Sequence, residues 1–333
     1  MSKDSVSGLK VCVIGAGAIG GFFGAKLAQG HARVSVVARG ATLQALRSKG
    51  WVLEAGGERI ASPVWAEDDP ATLGPQDVVI LAVKSQAVEA AAQLVKPLLG
   101  PETLIVPALN GVPWWFTSGN GKYSRRLMSA DPQGLIEAVL PAERVLGAVV
   151  YPACSTPEPG VTRLHSGSRV VFGEILAAKP SARLETWVDF LRTAGFEAEA
   201  STDIRAEVWR KLLGNACFNP LSLLTESATD DMIDDPAVHG VISSMMGEVL
   251  QVGRALGLAI DISVPDRIAV SRKLGHIKTS MLQDLEARRA VELDAILGTL
   301  LELAAGVEVA APACATVFAL ARRRARQLGL MPG

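Results

Sequence analysis

The stretch Arg210-Lys-Leu-Leu-Gly-Asn-Ala-Cys-Phe-Asn-Pro220 spaces Lys211, Asn215 and Asn219 four residues apart, so in a helix they share one face. The residues between them are mostly apolar: Leu212, Leu213, Ala216, Cys217 and Phe218. A cation and two amides along one side of such a helix form either a polar site or a snorkelling lysine with polar neighbours at an interface. Periodicity alone leaves both open.

A second constellation lies near the N-terminus. Gly15-Ala16-Gly17-Ala18-Ile19-Gly20 follows the β-branched run "KVCVI" and opens a helix. The G-x-G-x-x-G spacing is weak by itself but strong at a first strand-to-helix turn. Gly15 permits the tight turn, Gly17 lets a pyrophosphate approach the backbone, and Gly20 lets helix pack on strand. The helix N-terminus then offers free N–H groups to the phosphates. The next strand ends "VVAR". NAD enzymes commonly carry a carboxylate there for the ribose 2′-hydroxyl; this chain has Arg39, a cation where NADP carries its extra phosphate. That cation without a carboxylate predicts NADP(H) rather than NAD, with a surface arginine that happens to end the strand as the structural alternative. Lys84 and Asn110 follow the apolar runs "DVVILAV" and "ETLIVPAL", at the strand ends where ligands bind in open α/β sheets. A solvated lysine and a plain Asn-Gly turn are the structural alternatives.

These residues need elements to hold them. The first half alternates continuous apolar runs (10–15, 34–39, 77–83, 102–109) with helices at 18–30 and after Gln86, the pattern of a parallel sheet covered on both faces. Residues 144–153 and 161–174 read as later strands, the second stretch as a hairpin around Ser166-Gly167. From about 201 helical periodicity dominates, with 280–306 as one long helix. The expectation is an α/β Rossmann-type N-terminal domain (1–200) followed by an all-α C-terminal domain (201–333), in keeping with 333 residues of which 49% are hydrophobic. A net charge of −1 gives no support to nucleic-acid binding or a basic membrane anchor. Cys12, Cys154, Cys217 and Cys314 have no metal or redox spacing and read as reduced, buried thiols of a cytoplasmic protein. The four histidines, His31, His165, His239 and His276, form no local metal motif, and no metal is expected. "MSKDSVSGLK" lacks a signal-peptide core, and no uncharged apolar run reaches membrane-spanning length.

Taken together, "VIGAGAIGG", "AVKSQAV", "ALNGV", "AEVWRKLLGNACFNPLS" and "SMLQDLEARRAVELDAI" resemble the ketopantoate reductase family, in family order from residue 11 to about 297. The last two pieces are the more specific. The resemblance implies a Rossmann domain, a helical domain and an active site in the cleft between them. It implies that Lys211 is the general acid that protonates the substrate carbonyl while NADPH delivers hydride to the adjacent carbon, chemistry that needs a cation beside the developing alkoxide. Asn215 and Asn219 would orient the substrate carboxylate and hydroxyl without competing for that proton. Ser280 and Glu292 match the family's spacing. Ser280 would bind substrate, and with Gln283 it also forms a capping box. Glu292 would contact cofactor ribose or substrate hydroxyl, with a solvated helix face as its alternative. Asn110 would serve substrate and cofactor, and the backbone of Ala153 would border the nicotinamide.

The chain departs from the family pattern after Asn110. Pro113 stands where a second glycine is common, Trp114 and Trp115 follow, and the loop runs on to about 136. The tryptophans could wall the pocket or anchor the loop. A further family asparagine is Thr229 here. These departures bear on substrate choice rather than on cofactor or reaction type. The lead reading is NADPH-dependent reduction of ketopantoate to (R)-pantoate, with another bulky 2-oxo acid as runner-up and a non-enzymatic NADP-binding redox sensor as a distant third. A homodimer is compatible with the sequence, which leaves assembly open.

Overall fold

The computed structural model describes residues 8–30 and 32–331; residues 1–7, within the segment read above as lacking a signal peptide, and His31 lie outside the described residues. The strands are β1 (Lys10–Ile14), β2 (Arg33–Val37), β3 (Trp51–Ala55), β4 (Glu58–Ser62), β5 (Trp65–Glu67), β6 (Gln76–Leu81), β7 (Leu99–Pro107), β8 (Leu146–Val150), β9 (Ala153–Glu158), β10 (Val161–Ser166), β11 (Arg169–Glu174) and β12 (Glu197–Ser201). The helices are α1 (Ala18–Gln29), α2 (Gly40–Lys49), α3 (Val88–Val95), α4 (Leu135–Val139), α5 (Ala182–Thr193), α6 (Ile204–Thr225), α7 (Thr229–Asp234), α8 (Pro236–Ala255), α9 (Val264–Arg272), α10 (Ser280–Glu286), α11 (Thr299–Gly306) and α12 (Pro312–Gln327). They form two compact units. One comprises the described part of Met1–Leu109 with Gly134–Ile204; the other comprises Asn110–Gln133 with Arg205–Gly333, as far as described.

The first unit is the Rossmann-type α/β part. Its five-stranded sheet runs β5-β2-β1-β6-β7, all parallel. The continuous apolar runs Val11–Ile14 and Val78–Leu81 are buried, as strands of a parallel sheet covered on both faces are. A second sheet completes the layers on the far side of α1. That second sheet, β4-β3-β10-β9, packs on α1. Gly21 and Gly24 leave the room that Thr162 and the Trp51 ring occupy. Phe22 and Phe23 of α1 pack against Phe196, with ring centroids at 5.2 and 5.5 Å. The third sheet is β12-β11-β8. The hairpin expected around Ser166-Gly167 does not form. β10 pairs with β3 and β9, β11 pairs with β12 and β8, and the Ser166-Gly167 turn passes the chain from one sheet to another. Strands β3, β4, β5 and β12, and β9 beyond Ala153, lie in stretches to which the sequence reading assigns no strand.

In the second unit all regular structure is helical among the described residues. Its longest helix, α6, is buried nearly all round: Trp209, Leu212, Leu213, Ala216, Cys217, Phe218 and Leu223 are inaccessible or nearly so. Such a helix is core rather than surface. The long helix expected over 280–306 is broken. α10 stops at Glu286, Arg288 takes a left-handed φ of 52°, and Arg289 N–H donates to Asp284 O at 2.8 Å, closing the helix. The chain restarts through a π-turn at Asp294–Gly298 that leads into α11. The capping box expected at Ser280 is displaced by one residue: Thr279 is the N-cap, its hydroxyl accepts from Leu282 N–H, and Gln283 turns to Lys278 O.

Candidate active site

Three residues far apart in sequence meet in the second unit. Lys211 Nζ donates to Asn110 Oδ1 at 2.9 Å, and Asn110 Nδ2 reaches Glu292 Oε2 at 3.4 Å. All three side chains are half-buried. Burial among the apolar flanks of α6 draws the Lys211 pKa down to about 8, against the opposing pull of the Glu292 carboxylate. A lysine so placed exchanges its proton near working pH.

Asn110 is held by local backbone chemistry. Gly111 has φ 77°, and a side chain there would run into the Ala295 carbonyl. Val112 N–H donates to that same carbonyl at 2.9 Å. The Asn-Gly turn thus docks on the π-turn, a feature that often marks functional sites. Glu292 lies two residues before the π-turn, in the non-helical stretch left by the break after α10.

A second polar pair sits further along α6. Asn219 is buried, and its Nδ2 lies 3.4 Å from Ser280 Oγ at the start of α10. Asn215, one turn back towards Lys211, is half-buried, and its side chain makes no hydrogen bond with a described residue. Sequence reasoning missed Ser222 and Thr279. The Ser222 hydroxyl, fully buried, bonds Asn219 O at 2.7 Å and Thr279 Oγ1 at 2.6 Å. Ser222 continues the polar face of α6 three residues beyond Asn219, which was the available signal. Thr229, at the departed asparagine position, donates its hydroxyl to Ile277 O at 3.0 Å.

The loop after Asn110 is packed. Trp114 and Trp115 are 5% and 0% exposed, and Phe116 stacks on Trp209 of α6 with centroids at 5.7 Å. Arg205 donates to Phe116 O and Ser118 O, and Glu302 of α11 accepts from Met128 and Ser129 N–H. Both tryptophans are thus part of the packed loop rather than exposed on it.

In the first unit, Gly15 has φ 104°, and a Cβ there would strike Ala82, two residues before Lys84. The glycine turn thus closes on the exit of β6, beside the point where strand order reverses. Gly17 is exposed, and a Cβ there would meet nothing within 4 Å. No side chain caps α1, so the N–H groups at Ala18, Ile19 and Gly20 suit a pyrophosphate. Gly20 is buried against the Gly15 carbonyl. Arg39 is exposed, precedes α2, and has no ion-pair partner among the described residues. Lys84 is half-buried and leads a 3₁₀ turn. Ala153 is exposed and begins β9, opposite Ser166. Away from these positions, Asp230, Asp231 and His276 bring potential metal-ligand atoms within 4.8 Å of one another, with His276 hydrogen-bonded to Asp230.

Two family models match the chain: "Ketopantoate reductase PanE/ApbA" over residues 11–176 and "Ketopantoate reductase PanE/ApbA C terminal" over residues 203–325. A 2-dehydropantoate 2-reductase of Mesorhizobium japonicum is 40% identical over 324 residues, covering 96% of this chain and 99% of that protein. A crystal structure from Ralstonia solanacearum, described as a candidate ketopantoate reductase, is 42% identical with a TM-score of 0.93, covering 98% of this chain and 100% of its own. D-Mandelate dehydrogenase with NADH and anilino(oxo)acetate shares the fold, at 22% identity and a TM-score of 0.83, over 97% of this chain and 100% of its own.

Proposed function

The chain belongs to the ketopantoate reductase family, and from that premise we propose that it reduces 2-dehydropantoate (ketopantoate) to (R)-pantoate. The cofactor is NADP(H), which when bound supplies the hydride that adds to the ketone carbon. We assign the pyrophosphate to the turn Gly15–Gly20, where the uncapped helix end and the open face of Gly17 fit it. We assign the 2′-phosphate to Arg39, and further cofactor contacts to Lys84, Asn110, Ala153 and Glu292.

Lys211 is the proton donor in this reading. As hydride adds, negative charge gathers on the substrate oxygen, and a protonated amine already in place stabilises that charge and then neutralises it. Asn110 holds the amine by its oxygen, which fixes where the ammonium sits. Glu292 keeps Lys211 from losing its proton too early, since its carboxylate raises the lysine pKa that burial lowers. Asn215, Asn219 and Ser280 supply neutral contacts to the substrate carboxylate and hydroxyl. The observation that carries the proposal is the Lys211–Asn110–Glu292 arrangement with its lowered lysine pKa. A nucleotide-binding sensor has no need of it.

Lys211→Ala should lower kcat roughly 10²–10⁴-fold while NADPH, titrated by fluorescence, binds as before. A variant that keeps more than about a tenth of the activity would falsify the assignment. Arg39→Ala should weaken NADPH binding about 10–100-fold, the range of a charge-assisted contact, and leave NADH binding unchanged; equal losses for both cofactors would remove Arg39 from the 2′-phosphate. We further propose a cytoplasmic homodimer. No described helix is long and apolar enough to cross a membrane. Burial pushes the thiols of Cys12, Cys154 and Cys217 up to about 12, which suits proteins that keep cysteines reduced and unreactive.

A further inference from the structure

We propose that Ser222 and Thr279 form a positioning pair that sets the substrate-contacting hydroxyl of Ser280. The inference rests on the reading of Asn219 and Ser280 as substrate ligands.

The direction of each bond can be worked out. A hydroxyl has one proton to give and two lone pairs to receive. Ser222 Oγ donates to the carbonyl of Asn219, three residues back on α6, at 2.7 Å. Its proton is then spent, so the 2.6 Å contact between Ser222 Oγ and Thr279 Oγ1 must be a donation from Thr279. Thr279 Oγ1 in turn accepts from Leu282 N–H at 3.1 Å, the cap of α10. A single directed chain therefore runs from Leu282 N–H through both hydroxyls to the Asn219 carbonyl. Bonds in such a chain polarise and reinforce one another.

The chain joins two segments that hold substrate contacts. One end is the backbone of Asn219; the other is the first turn of α10, where Ser280 is the next residue after Thr279. The side chains of these two meet at 3.4 Å, with Asn219 Nδ2 directed at Ser280 Oγ. The Ser280 hydroxyl thus accepts from Asn219, and its own proton has no acceptor among the described residues. That proton is left for a carboxylate oxygen of the substrate. The Ser222 hydroxyl is fully buried, so its loss leaves Thr279 without an acceptor and no water to replace it.

The two hydroxyls bond Asn219 O, each other and Leu282 N–H and none of Lys211, Asn110 or Glu292, so their loss should act on substrate affinity and leave the chemical step. Ser222→Ala and Thr279→Val should each raise KM for ketopantoate about 5–20-fold, the worth of one charge-linked hydrogen bond. kcat should stay within about twofold, and the NADPH Kd should not move. The double variant should cost no more than either single one, because the two hydroxyls act as one unit. Thr279→Ser keeps the hydroxyl and should restore the parental KM. Ser280→Ala is measured alongside. If it raises KM while the pair variants do not, the positioning role is overturned and the substrate-contact reading stands. If it leaves KM unchanged, the substrate-contact reading fails, and the positioning role fails with it. Losses in kcat and melting temperature without a KM change would assign the pair to stability alone and overturn the proposal. Thr279 is only half-buried, so its variants keep the test available should Ser222→Ala fold poorly.

Discussion

Between pH 8 and 10.5 a lysine on a solvated chain keeps its proton, while Lys211 on α6 has largely lost it. The reaction direction then decides what pH does. With Lys211 as the proton donor proposed above, reduction needs the ammonium, so kcat for ketopantoate should be flat below pH 8 and fall as pH rises through it. Oxidation of pantoate needs the free amine and should fail as pH drops through the same value. The Glu292 carboxylate raises the Lys211 pKa, so Glu292→Gln should move both limbs to lower pH. A shift to higher pH, or none, would separate Glu292 from the lysine. At this scale much of the candidate site was legible: the four-residue spacing of Lys211, Asn215 and Asn219 and the Asn110 turn stood in the sequence. Ser222 stood there too, one step further along the same helix face, but its pairing with Thr279 did not, because a hydrogen bond between residues 57 apart leaves no local pattern. The place of Lys211 beside Asn110 rests on a separation of 101 residues and came only with the fold.

Elements were legible where one local rule decided them. The parallel strands announced themselves as continuous apolar runs, and the glycine turn fixed the first strand-to-helix junction. Two readings failed because local signals underdetermine partners. Ser166-Gly167 is a turn sequence, but a turn does not say whether the next strand returns to the same sheet; here it leads to another. The 280–306 stretch has helical spacing throughout, yet Arg288 adopts φ 52°, a conformation costing a non-glycine residue about 1–2 kcal/mol. Nothing in the identity of an arginine advertises that. The break leaves Glu292 at the start of the next helical segment, its carbonyl accepting from Ile296 N–H at 3.3 Å, and the π-turn that follows meets Gly111. Pro220 inside α6 works similarly: it has no N–H, so one carbonyl a turn earlier loses its helical donor beside the Asn219 contacts.

At the scale of the molecule, composition located the change from α/β to helical structure near residue 200, but not the transfer of 110–133 to the helical unit. That segment brings Asn110, stacks Phe116 on Trp209, lays the Tyr123 ring over Gly306 and ends in the Glu302 carboxylate. A fragment starting at residue 203 would therefore lack part of its own core. It should bind a hydrophobic dye and melt without a cooperative transition, whereas the full chain melts cooperatively. A fragment that melts sharply would show that the segment is an accessory.

This split between chain order and unit membership has a consequence during synthesis. Ser129 leaves the ribosome long before Glu302, which lies 173 residues further along. At ~5–20 residues per second that is a wait of roughly 10–30 s. Trp209, on which the Phe116 ring stacks, is itself 93 residues further along the chain than Phe116, so for the first part of that interval this ring has no partner. The nascent protein must carry the ring without it, and a slow codon run or a chaperone shortage in that interval would be felt there first.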